Sequence, residues 1–185
     1  LKWLEQNNRF REIITLSTIH KSNSMPVTSL LITATAYQNI GEYDSSLQLL
    51  TPILPDFEKN NQHRVLGQLY RGIGASYQGL KQFPTSVDYF YKSMEAFNAI
   101  PDQQESNLSK VELATVFFFL KDFKKSLDLH RQVYDYFVSV PDTLQMAYAL
   151  DGITVALNNL DSLEAAGISG RKSLELYRAK GDLRG

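Results

Sequence analysis

Cysteine is absent from this chain, proline occurs 6 times in 185 residues, tryptophan once and histidine three times. Without cysteine there is neither a disulfide scaffold nor a cysteine-ligated metal site, and the compartment stays open because such a chain suits oxidising and reducing surroundings alike. Charge of one sign is lacking too. The 19 Lys and Arg nearly balance the 20 Asp and Glu, leaving a formal net charge of -1, which argues against a broad electrostatic grip on nucleic acid. Long hydrophobic runs are missing as well: the stretch Val111 to Leu120 carries one charge, Glu112, and is only about half the length of a membrane span. The leading residues Leu1-Lys2-Trp3-Leu4-Glu5 have neither the basic start nor the apolar run of a secretion signal. What remains, 43% hydrophobic and 21% charged, is the composition of a globular chain with enough residues for a real core.

The information lies in the order of residues, which repeats with a period of 40. The turns Gly41-Glu42-Tyr43, Lys81-Gln82-Phe83, Lys121-Asp122-Phe123 and Asp161-Ser162-Leu163 recur without insertion or deletion. Other columns keep the register: Tyr37, Tyr77, Phe117, Leu157; Phe57, Phe97, Phe137, Tyr177; and the small residues Ser46, Ser86, Ser126, Ala166 and Ala34, Gly74, Ala114, Thr154. Agreement of aromatic and small columns at one fixed spacing marks an array of repeats, to be recognised before any local assignment. The copies run 27–66, 67–106, 107–146 and 147–182, with a partial copy over 1–26 and a stub over 183–185.

Within each copy the apolar spacing is helical. Ile73, Tyr77 and Leu80 fall at i, i+4 and i+7, and after the turn Phe83, Val87, Phe90, Met94 and Phe97 form a second stripe. Each copy therefore predicts two antiparallel helices. Ile100-Pro101-Asp102 and Val140-Pro141-Asp142 separate copies, with Glu105 and Gln145 at capping-box spacing from the aspartates. Pro52 lies inside a predicted second helix and should kink it or end it early. A lone helical hairpin cannot bury its stripe, so neighbours must stack.

At these residues the chain resembles the tetratricopeptide repeat (TPR) family: Ala34 and Tyr37, then Gly41-Glu42-Tyr43, then Ser46 fit its pattern best. The resemblance covers about 27–182, and Asn8-Arg9-Phe10 with Ile13, Ile14 and Leu16 looks like the turn and second helix of a preceding copy, Trp3 and Leu4 the remnant of its first. Only one copy keeps Gly at the turn, and the family's tryptophan position holds Leu30, Tyr70, Lys110 and Leu150. The resemblance implies an all-α, right-handed superhelical solenoid of antiparallel helix pairs, with a concave groove built from first helices that holds a peptide or partner helix. By resemblance the groove is lined by Thr28, Gln68, Leu108, Tyr148; Leu31, Arg71, Val111, Asp151; Thr35, Ala75, Thr115, Val155; and Gln38, Gln78, Phe118, Asn158. Its polar and aromatic members Gln68, Arg71, Gln78, Phe118, Tyr148, Asp151 and Asn158 are the candidate partner-binding residues. The Lys and Asn set with which some TPR domains clamp a chaperone's C-terminal carboxylate does not stand there.

Phe117-Phe118-Phe119 spans about 200° of helix, so Phe118 or Phe119 should show on the groove side, as an aromatic anchor or as packing against a neighbouring first helix. No catalytic, metal-binding or cofactor-binding constellation follows from the spacing. His20, His63 and His130 are scattered, and Gly67, Gly72 and Gly74 lack the Lys-Ser/Thr and the strand of a phosphate loop. His130, in a column with Leu50 and Phe90, reads as a packed histidine. Both ends read as cut, which predicts a piece of a longer protein. The readings that follow are a protein or peptide-binding module without nucleic-acid binding or membrane insertion; the input domain of a bacterial signalling protein, since 40-residue TPR arrays with a junction like Gly181-Asp182 resemble those ahead of GGDEF domains and those of transcription regulators; and a self-associating scaffold. The input reading admits a cytoplasmic or a periplasmic location.

Overall fold

A computed structural model describes residues 9–16 and 26–181. The expectations placed on Trp3, Leu4, Asn8, His20, Asp182 and the stub 183–185 lie outside these residues. The regular structure described is all helical: α1 (residues 9–16), α2 (Val27–Asn39), α3 (Tyr43–Leu50), a 3-10 turn (Thr51–Ile53), α4 (Leu54–Lys59), α5 (His63–Gly79), α6 (Phe83–Asn98), α7 (Gln103–Phe119), α8 (Phe123–Ser139), α9 (Thr143–Asn159) and α10 (Leu163–Ala179). The chain forms two compact units, Leu1–Gln103 and Gln104–Gly185.

Each first helix ends in the same way. Gly41, Lys81, Lys121 and Asp161 take the left-handed conformation, at φ 83°, 60°, 61° and 56°. Their N–H groups donate to the carbonyls of Gln38, Gln78, Phe118 and Asn158, and the following residues donate to those of Tyr37, Tyr77, Phe117 and Leu157. This is the Schellman arrangement, which satisfies the last carbonyls of a helix and reverses the chain within two residues. Three copies adopt it with a residue that carries a Cβ, so the missing glycines of the turn column are tolerated as strain rather than avoided by a different loop.

The second helix of the first copy departs from the others as Pro52 predicts. Lacking an N–H and crowding the carbonyl four residues back, Pro52 stops α3 at Leu50, and the chain winds through the 3-10 turn before α4 starts with Pro55 in its first turn. Between copies, Asp142 caps α9 by accepting from Leu144 N at 3.0 Å and Gln145 N at 3.1 Å, while the Asp102 carboxylate pairs with the guanidinium of Arg64 at the start of α5.

Packing explains the columns. In the first unit, Leu50 and Leu54 meet Leu66, Leu69 and Ile73 of α5 in one core. In the second, Leu127 gathers with Leu150, Ile153 and Leu157 of α9, and Val133 and Phe137 with Ala149. Ser46, Ser86, Ser126 and Ala166 are all buried. They are more than small: Ser86 Oγ donates to the Gly74 carbonyl at 2.9 Å, and Ser46 Oγ accepts from Ser76 Oγ at 3.0 Å. Gly67 and Gly74 sit inside α5 where rings of α6 press on its backbone; a Cβ on Gly67 would lie 2.6 Å from Phe97, and one on Gly74 3.1 Å from Phe90.

Candidate functional site

In the first unit, α5 carries Gln68, Arg71 and Gln78 on one face, each half-buried. Arg71 is braced from below, its guanidinium carbon 5.7 Å from the centre of the Phe97 ring on α6. Gln38, at the equivalent of Gln78 one copy earlier, does not offer its amide to a groove. Its Nε2 turns inward and donates toward the Gly72 carbonyl at 2.8 Å, Ser76 Oγ at 2.9 Å and Ser46 Oγ at 3.1 Å. That amide bridges α2, α3 and α5, joining a buried polar group in which Ser76 Oγ also lies 3.0 Å from the Gly72 carbonyl and from Ser46 Oγ.

In the second unit, the three phenylalanines of α7 divide. Phe117 is buried, Phe118 is half-buried with its ring 5.5 Å from that of Phe123, and Phe119 is 53% exposed. Phe118 thus packs across its own turn, while Phe119 shows. On α9, Tyr148 is 47% exposed, Asn158 is exposed and Asp151 is half-buried. Two of these candidates are brought together through α10. Tyr148 meets the Tyr177 ring edge-on at 5.8 Å, and the Tyr177 hydroxyl donates to Asp151 Oδ2 at 2.7 Å. Ser173 Oγ donates to Asp151 Oδ1.

Several groupings escaped the sequence reading. A recess between α1 and α2, of about 250 Å³, is lined by Phe10, Ile13, Leu31, Ile32, Thr35 and Ala36. Tyr70, Tyr77 and Tyr89 cluster beside Lys92, whose Nζ lies 5.2 Å from the Tyr89 ring centre and 5.8 Å from that of Tyr70. Burial and the Glu58 carboxylate, which accepts from Tyr70 Oη at 2.6 Å, push the Tyr70 phenol above its ordinary range. His130, read from its column as a packed histidine, is buried; what the sequence did not show is that its Nδ1 has no hydrogen-bond partner and that desolvation lowers its pKa from 6.5 to about 4. Asp122 caps α8 through Lys125 N at 3.2 Å, and that bond holds its carboxyl below the usual range. Among the described residues, no cluster of three or more His, Asp or Glu is placed to hold a metal ion, and no helix is long and apolar enough to cross a membrane.

No family model and no curated protein matches the chain. Solved structures do. BtubC (BKLC) from P. vanneervenii is similar with a TM-score of 0.76 at 10% identity, over 100% of this chain and 76% of that one. A putative kinesin light chain of Podosopora anserina with nearly identical TPR-like repeats matches with a TM-score of 0.65 at 15% identity, over 99% and 90% of the two chains. The fold is that of TPR-like helix pairs. MamA is similar in the same way, with a TM-score of 0.63 at 14% identity, over 93% of this chain and 88% of that one. The candidate residues all stand on first helices of these pairs, Gln68, Arg71 and Gln78 on α5 in one unit, and Phe118 on α7 with Tyr148, Asp151 and Asn158 on α9 in the other.

Proposed function

We propose that the chain is a protein-binding module that takes a peptide or a partner helix on the groove face of its first helices. The observation that carries this reading is the surplus on that face. The apolar stripes and the serine column already account for the packing of each unit, yet α9 leaves Tyr148, Val155 and Asn158 exposed beside Asp151, and α5 presents two half-buried amides with a braced cation. Aromatic and aliphatic anchors among amides and single charges suit a helix or extended peptide, held by a few apolar contacts and by hydrogen bonds to its backbone. Capture of partners by the wild type, by a Gln68→Glu/Tyr148→Ala variant and by an Asp88→Asn variant of the exposed face of α6 tests it. Loss of the same partners from the first variant alone is expected, and identical catches from all three refute the groove as the binding surface.

Self-association is the second reading, favoured by α10, where Leu163 is 69% and Ile168 55% exposed. Light scattering over a concentration range, with Leu163→Glu as control, separates it from the first. Either form of binding also suits the input role in a signalling protein, which a catalytic or DNA-binding domain in the same reading frame would select.

A further inference from the structure

Arg71 and Asp151 occupy the same place in their helices, two repeats apart. Each has its aromatic neighbour at the same place on the second helix, Phe97 under Arg71 and Tyr177 beside Asp151. The aromatic column reads Phe57, Phe97, Phe137, Tyr177. A hydroxyl therefore appears only in the copy whose first helix carries a carboxylate at this register, and it is spent on that carboxylate. Ser173 adds a second donor. It stands where Ser93 donates to the Gly67 carbonyl at 2.8 Å, but here its hydroxyl lies between the Ala147 carbonyl, at 3.1 Å, and Asp151 Oδ1.

One donor on each oxygen fixes the carboxylate and leaves a lone pair on each unused. No cationic side chain of the described residues forms an ion pair with Asp151. The nearest turn of α10 sends its Lys172 to the face of Tyr134, 4.9 Å from the ring centre. Half-removed from water, a held carboxylate without a counter-ion is incompletely compensated. Its flanks on α9 are Tyr148, 47% exposed, and Val155, 44% exposed, one turn to either side. A planar guanidinium meets all three demands: it bonds both oxygens at once, it lies favourably against an aromatic face, and its aliphatic stem covers apolar surface.

We infer that the groove face of α9 is a receptor for a basic side chain, arginine ahead of lysine, carried by a peptide with apolar residues on either side of it. This rests on the groove reading above and adds the charge that the second unit selects. Asp151 and Tyr148 touch the bound cation, while Tyr177 and Ser173 are positioning residues. The first unit, with Arg71 at the matching register, does not share this preference.

Selection from a displayed library of random 12-residue peptides tests the inference, using the wild type, Asp151→Asn, and Asp151→Arg combined with Tyr177→Phe. The double variant rebuilds the Arg71–Phe97 pairing already present in the chain, so it supplies a folded control. Wild type is expected to enrich Arg and Lys between apolar residues, and replacing that Arg by Gln in a selected peptide should weaken binding about tenfold, the size of one charge-assisted contact. Asp151→Asn should erase the discrimination, and the double variant should enrich Asp and Glu instead. Peptides that lose affinity with Gln68→Glu/Tyr148→Ala but show no basic preference, or whose basic preference survives Asp151→Asn, overturn the inference and leave the groove reading standing. Peptides indifferent to the groove variants, or no selected peptides at all, overturn both.

Discussion

His130 is the residue whose replacement should change the stability curve most cleanly. It is 6% exposed, with its Nδ1 unpartnered, and desolvation holds its pKa at about 4 against 6.5 for a free imidazole. The folded chain resists taking a proton that the unfolded chain accepts readily. The gap between 6.5 and about 4, at about 1.4 kcal/mol for each unit of pH, corresponds to about 3 kcal/mol. Because the folded pKa is the depressed one, this stability is complete above pH 6.5 and drains away as the pH falls toward 4. The chain itself supplies the control. Leu50 holds the same position two repeats earlier and lies against Gly72, as His130 lies against Gly152. His130→Leu should therefore fit, remove an unsatisfied ring nitrogen worth about 1 to 3 kcal/mol, and take this component out of the pH dependence. Urea unfolding of both proteins at pH 7.5 and pH 4.5 measures it: from the higher to the lower pH the wild type should lose about 2 kcal/mol more than the variant. Equal losses, or a His130 imidazole resonance that titrates near 6.5 in the folded wild type, would show that burial does not hold His130 neutral.

Lys81→Gly and Lys121→Gly should each stabilise by about 0.5 to 1 kcal/mol, the left-handed strain of about 1 to 2 kcal/mol less the entropy lost by glycine, whereas Gly41→Ala at the same register should destabilise; melting curves report both. Gly67→Ala places a Cβ 2.6 Å from the Phe97 ring and should cost about 1 to 3 kcal/mol in denaturant unfolding. Gln38→Leu removes the amide donor shared by the Gly72 carbonyl, Ser76 and Ser46, which should lower stability by about 1 kcal/mol and hasten amide exchange at the ends of α2 and α3.

The helices, their turns and the burial of the columns were legible because each depends on residue size and spacing alone. An apolar stripe of period 3.6 followed by a two-residue reversal leaves few alternatives, and the Schellman turn forms even where Lys81, Lys121 and Asp161 stand in place of glycine. The polar contacts were not legible, since a serine column tells that a small residue is needed and not which acceptor its hydroxyl finds. Ser46 and Ser86 share a column and a burial, yet one meets Ser76 and Gln38 while the other meets the Gly74 carbonyl. For the same reason Gln38, placed on the groove face by the family resemblance, turns its amide inward. Asp151 carried a signal that column-by-column reading passes over, the change from Phe to Tyr at 177 in the copy that has the carboxylate.

The same geometry recurs two repeats apart with different chemistry. Leu50 against Gly72 becomes His130 against Gly152, Ser93 on the Gly67 carbonyl becomes Ser173 on that of Ala147, and Arg71 over Phe97 becomes Asp151 bonded to Tyr177. In the first two pairs the contact between helices persists, so the substitution is absorbed by the packing. The third pair differs in kind: a cation braced on a ring and a carboxylate braced on a hydroxyl stand at the same register of their first helices, with opposite sign. A helix-pair repeat needs neither charge to close its core, since Leu31 and Val111 fill that register in the other copies. On the proposed reading, the charge at this register is what the second unit uses to select a basic side chain. The reversal of charge is matched by a change in the supporting residue on the second helix, Phe97 to Tyr177, so the fixed core accommodates either sign at this register.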